Sequence, residues 1–167
     1  VVNYFKTGYG NGAILQAIYY VHPGYLGQVQ ESGRDQGHNT LDIAHLGVIA
    51  EQAWNQGVDL YSYANNRLLM GSEYAAKGNL INPNTSNYYA VPYATYAYVS
   101  WPTVFYHPGF STSAIGTLRP CWAKVYHHYV NRMGLDAPYT RLMMNRVAPD
   151  GGGGNYGPNS GGFDQLG

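Results

Sequence analysis

Two helix-patterned stretches joined by a two-residue turn constrain this chain most. From Thr40 to Gln56, "TLDIAHLGVIAEQAWNQ" sets Ile43, Leu46, Gly47, Ala50, Ala53 and Trp54 on one face at three- and four-residue steps. Asn39 reads as the N-cap, with Asp42 three residues later, and Gly57 as the stop. Asp59 then caps a second helix running to about Lys77, with Leu60, Ala64, Leu68, Gly71 and Ala75 along its apolar line and Gly78 closing it. So short a connection forces the two helices into an antiparallel hairpin. The small residues Gly47, Ala50, Gly71 and Ala75 let them approach closely.

The rest of the chain is read around that hairpin. Residues 79–113 hold four prolines, at 83, 92, 102 and 108, with many Tyr and Asn, which excludes a long helix. An irregular stretch of this length in a compact domain is functional or disordered, and its aromatic content favours an ordered excursion packed on the body. A third helix is expected from about Ser113 to Asn131, starting properly at Arg119 or Pro120, with Trp122, Val125, Tyr126, Tyr129 and Val130 at helical spacing. A short helix follows at Tyr139 to Val147, and the glycine-rich tail reads as a flexible linker. The opening "VVNYFKTGYGNG" looks like the end of a helix, which suggests a missing beginning. The expectation is one all-α domain over residues 1–167, built from helical hairpins with long irregular loops on one side.

Charge is scarce and balanced, at nine residues of each sign among 167. A nucleic-acid or anionic-membrane surface needs a basic excess, so both partners are disfavoured. No apolar run is long enough to span a bilayer, and no signal-peptide pattern stands out. The lone Cys121 excludes an intramolecular disulfide. Tyrosine is over-used, at 18 copies against four Phe and three Trp, which suits both core rims and sugar-facing clefts.

Against that sparse background, "QESGRDQGHN" gathers Glu31, Arg34 and Asp35 within five positions, with His38 close behind. The loop enters the first helix, where backbone N–H groups favour anions. Arg34 can grip a carboxylate with two hydrogen bonds, and His38 can exchange a proton near neutral pH. Mutual neutralisation of three exposed charges is the competing explanation. The histidines lack the spacing of a zinc site, no G-x-S-x-G elbow is present, and the glycine-rich tail lacks the ending of a phosphate loop. Tyr126 shares a helix with Arg119 and could relay a proton, although a core role is the commoner one for such a tyrosine.

Taken together, "QESGRDQGHNTLDIAHLGVIAEQAWNQGVDLYSYANNRLLMGSEYAAK", "RPCWAKVYHHYVNRMGLDAPYT" and "DGGGGNYGPNSGGFDQLG" resemble the alginate lyase superfamily of polysaccharide lyases. The resemblance is to fungal and bacterial members carrying E-S-G-R-D-Q-G-H, and runs from about Tyr4 onward. It implies part of an (α/α) toroid, a secreted enzyme and β-elimination of an anionic polysaccharide such as alginate or glucuronan, while the residues themselves single out no cofactor or metal. It also implies a longer protein, whose N-terminal half would complete the cleft. Carried over to this sequence, Arg34, Gln36 and His38 fall to charge neutralisation and proton transfer. Tyr96 and Tyr126 both remain candidates for the catalytic tyrosine. Glu31, Gln36, Asn39 and Arg119 are the substrate-binding candidates. A non-catalytic carbohydrate-binding protein and a glycoside hydrolase are the alternatives, the latter needing two acids across one cleft.

Overall fold

The computed structural model describes residues 1–8, 12–100 and 103–147. The linker expectation for the tail, and the glycine-rich end of the resemblance, lie outside these residues. In chain order the elements are α1 (Val2–Thr7), α2 (Ile14–Ala17), β1 (Ile18–His22), β2 (Leu26–Val29), a 3-10 turn (Gln30–Gly33), α3 (Gln36–Trp54) and α4 (Tyr63–Gly78). There follow β3 (Tyr96–Ser100), β4 (Thr103–His107), α5 (Trp122–Tyr126), a π-helical turn (His127–Arg132) and α6 (Pro138–Arg146).

The all-α toroid expectation is corrected by this architecture. About half of the described residues are helical, and about an eighth lie in two small antiparallel sheets. Helices α3 and α4 do form the antiparallel hairpin, and Asn79 at the end of α4 meets Gln36 at the start of α3. The other side of α4 is covered by β2 and α6 rather than by further hairpins. The cause is local. Residues 14–29 are rich in β-branched and aromatic side chains around Pro23-Gly24, and Gly24 and Tyr25 both take left-handed angles, folding β1 back onto β2. Strand β2 then lies directly on α4, because Gly27 leaves no Cβ to collide with the backbone of Met70 and Gly71.

The core is one cluster centred on α4, whose residues Leu68 to Ala76 are all buried. Ile18, Ile43, Leu68, Leu69, Trp122 and Met143, drawn from five different elements, are among its fully buried members. Burial on every side explains why the stretch from Leu68 to Ala76 carries so little charge. Glu73 is the exception, and it is used: its two oxygens accept the Tyr139 and Thr140 N–H groups and cap α6.

Three further expectations move. The third helix is confined to Trp122–Tyr126 and its π turn, since the left-handed Ala114 and Gly116 and then Pro120 break its start. The 79–113 region contains the β3–β4 hairpin, which places Tyr96. The second helix is not regular throughout, because Ala64, Asn65 and Asn66 all have left-handed angles and the right-handed turns begin after them.

Candidate active site

Helix α3 starts four residues earlier than its periodicity suggests, because Asp35 rather than Asn39 is its N-cap. Asp35 is fully extended, and its Oδ1 accepts the backbone N–H of His38 at 2.9 Å. Its other oxygen, Oδ2, lies 2.6 Å from His38 Nδ1. With Nδ1 carrying the shared proton, His38 Nε2 is left with a lone pair, the arrangement a general base needs. Burial alone would raise the Asp35 carboxyl, but the hydrogen bonds from His38 and the charge of Arg34 hold it below the ordinary range.

Arg34 stands half exposed beside this pair. Its Nη1 is 3.3 Å from Glu31 Oε2 and its Nε is 3.7 Å from Asp35 Oδ2. The neutralisation expected of these three charges is therefore present. Exposed pairs of this kind hold by well under a few kcal/mol, so an incoming carboxylate can compete for the guanidinium.

Behind these groups lies a sealed amide network. Gln36 Nε2 donates to Ser32 O at 3.0 Å and to Ser111 O at 2.9 Å. Its Oε1 accepts from Asn39 at 2.6 Å and from Asn79 at 2.9 Å. Asn79 Oδ1 in turn accepts the Gly116 N–H at 2.9 Å. Arg119 donates to Thr40 Oγ1 at 3.3 Å and to Gly37 O at 3.1 Å, fastening the first turn of α3. Gln36, Asn39 and Arg119 are all buried, so the structure sets them beneath His38, facing protein atoms.

The two tyrosine candidates separate clearly. The Tyr96 ring packs 4.7 Å from that of Tyr19, and its hydroxyl donates to Gln30 Oε1 at 3.1 Å, one residue from Glu31. Burial, then the charges of Glu31 and Asp42, pushes that hydroxyl up. The placement is secured by Gln28, which bonds Ala94 N at 2.7 Å and Ala94 O at 2.8 Å just before β3. Gly33 matters for the same contact, since a methyl group there would strike the Tyr93 hydroxyl and His107. Tyr126 lies elsewhere. Helix α5 runs alongside α3, with Cys121 near Thr40 and Val125 against Gly47, so Tyr126 sits roughly 15 Å along the axis from His38. The structure thus brings Tyr96, but not Tyr126, to the Glu31–His38 segment.

Two features were missed in the sequence. Asp42, one helical turn beyond His38, has its carboxyl pushed up to about 8 by burial and by Glu31, with Arg34 opposing. A spacing of four residues from His38 was the available signal. The left-handed turn at Ala64–Asn66 was also missed, although two consecutive asparagines are tolerant of that conformation. Next to it, Asn66 Oδ1 and Arg67 Nε are buried without hydrogen-bond partners.

Among the described residues, no group of three or more His, Cys, Asp or Glu side chains could hold a metal ion. No helix among them is long and apolar enough to cross a membrane. Comparison with protein-family models, curated proteins and solved structures found no match to this chain.

Proposed function

We propose that this chain cleaves uronic-acid polymers by β-elimination, using the head of α3 and the start of β3. The observation that carries the reading is the His38–Asp35 pair, at 2.6 Å, beside the half-exposed Arg34, with Tyr96, whose hydroxyl resists ionisation, held at Gln30 on the same segment. In this mechanism Arg34 meets the uronate carboxylate and makes the C5 proton more acidic. His38 Nε2 removes that proton. The freed electron pair forms the C4=C5 double bond as the C4–O4 bond breaks, and Tyr96 gives its hydroxyl proton to O4. Gln36, Asn39 and Arg119 act from beneath by fixing the backbone that aims His38. The substrate class and an extracellular setting rest on the E-S-G-R-D-Q-G-H resemblance.

A non-catalytic carbohydrate-binding role is the second reading, and it is favoured by the contacts of Arg34 with both Glu31 and Asp35. One assay separates them. The protein is incubated with alginate and with glucuronan, and new unsaturated ends are followed by ultraviolet absorbance. The lyase reading predicts rising absorbance on at least one polymer. Binding to the polymers with no absorbance on either would leave the binding role in its place.

A further inference from the structure

A pocket of about 190 Å³ lies between α1 and α3. Phe5, Leu46 and Ile49 give it an apolar lining, and Tyr4 stands exposed at its rim. Asp42 and His45, one turn apart on α3, are its ionisable side chains from that helix. Such a mixture, apolar walls with a few polar groups on one side, is what a sugar ring requires: C–H faces against carbon, hydroxyls and carboxylate toward donors.

The pocket is not isolated from the reacting groups. The Asp42 carboxyl is within electrostatic reach of Glu31 and Arg34 on the segment before α3, and of Tyr96 on β3. Its Oδ2 is buried and has no hydrogen-bond partner in the protein. A buried oxygen left in this way is costly unless something outside the chain satisfies it.

We propose that this pocket is a subsite for one uronate ring of the polymer, adjoining the reacting ring, with the Asp42 carboxyl donating a hydrogen bond to it. The substrate class rests on the elimination reading above. The protonation needed is supplied by the surroundings. Burial and Glu31 raise the Asp42 carboxyl to about 8 against the pull of Arg34, so near neutral pH it is an uncharged O–H donor. An ionised carboxylate in its place could donate nothing and would repel the substrate. Among the described residues, the other titratable groups at the pocket are His45, held low by burial and by Arg119, Tyr4 on α1 and the amino group of Val1 before it.

The test is calorimetric binding of a glucuronate tetrasaccharide at about pH 6.5 and about pH 9, on either side of the Asp42 transition. Wild type, Asp42→Asn and Ile49→Trp are compared, each checked for a native melting curve. In wild type the affinity falls about tenfold across this interval, and in Asp42→Asn, which cannot ionise, the ratio collapses to about twofold. Ile49→Trp fills the pocket and weakens binding about tenfold at both values. An unchanged pH ratio in Asp42→Asn, or undiminished binding to Ile49→Trp, would overturn the subsite. Tetrasaccharide binding with these variant effects but no elimination would overturn the lyase reading and leave the subsite standing. Elimination that neither variant alters in rate or pH profile would do the reverse, and no binding at all would overturn the subsite.

Discussion

The two ends of the α3–α4 hairpin are built on opposite principles. At the head of α3, Gln36 has both amide atoms engaged twice over, and Asn79 and Arg119 bind the neighbouring backbone. At the head of α4, Ala64, Asn65 and Asn66 form three consecutive left-handed residues, and polar atoms of Asn66 and Arg67 find no partner. The first end is held by cross-linked amides, although Asn39 Oδ1 and, one turn on, Asp42 Oδ2 are buried without a partner. The second stores conformational energy, on the order of 1 kcal/mol or more per residue. The difference shows why Arg34 and His38 can remain exposed without wandering: their backbone is fixed by a network that solvent does not reach.

The largest effect should come from breaking the amide network at the first end. Gln36→Ala strands the Asn39 amide and the Ser111 carbonyl and takes one of two hydrogen bonds from Asn79 Nδ2 and from Ser32 O, and should cost about 3–5 kcal/mol, read as a lower urea midpoint. At the strained end the sign reverses. Ala64→Gly should stabilise the protein by about 1 kcal/mol, because glycine takes φ 52° without the clash that alanine meets.

A smaller effect concerns the His38–Asp35 contact. The Asp35 carboxyl sits below its unfolded value of about 3.9, so its contribution is present above that pH and disappears as pH falls through the folded value. Asp35→Asn should therefore flatten stability below about pH 4 and cost roughly 0.5 kcal/mol at neutral pH, where the charged contacts with His38 and Arg34 are lost while asparagine still caps the helix. Urea titrations at several pH values would show both. A cost equal to that of Gln36→Ala would erase the distinction between network and cap.

The hairpin was legible because three- and four-residue spacing survives any environment that buries one face. The β1–β2 hairpin was not, since β2 is buried on both faces and shows no alternation. The start of α3 was misjudged because Gln36 and Asn39 are polar yet fully buried, paired with residues 43 and 75 positions away. Periodicity counts such positions as solvent. Of the site, the charged cluster was legible from its density in a charge-poor chain. Which of Tyr96 and Tyr126 lies near that cluster was not, because it depends on Gln28 tying the approach to β3 across 66 positions. Asp42 carried a helical-face spacing but no sign of the burial that alters its chemistry.

The most direct test of the account is the initial rate of unsaturated-end formation on the preferred uronate polymer, for wild type against His38→Ala and Arg34→Ala. Neither side chain belongs to the buried network, so both variants should melt like wild type. The account predicts losses of at least about 100-fold for His38→Ala, the scale of a removed general base, and comparable losses for Arg34→Ala. Rates within about threefold of wild type for both, in folded protein, would contradict it.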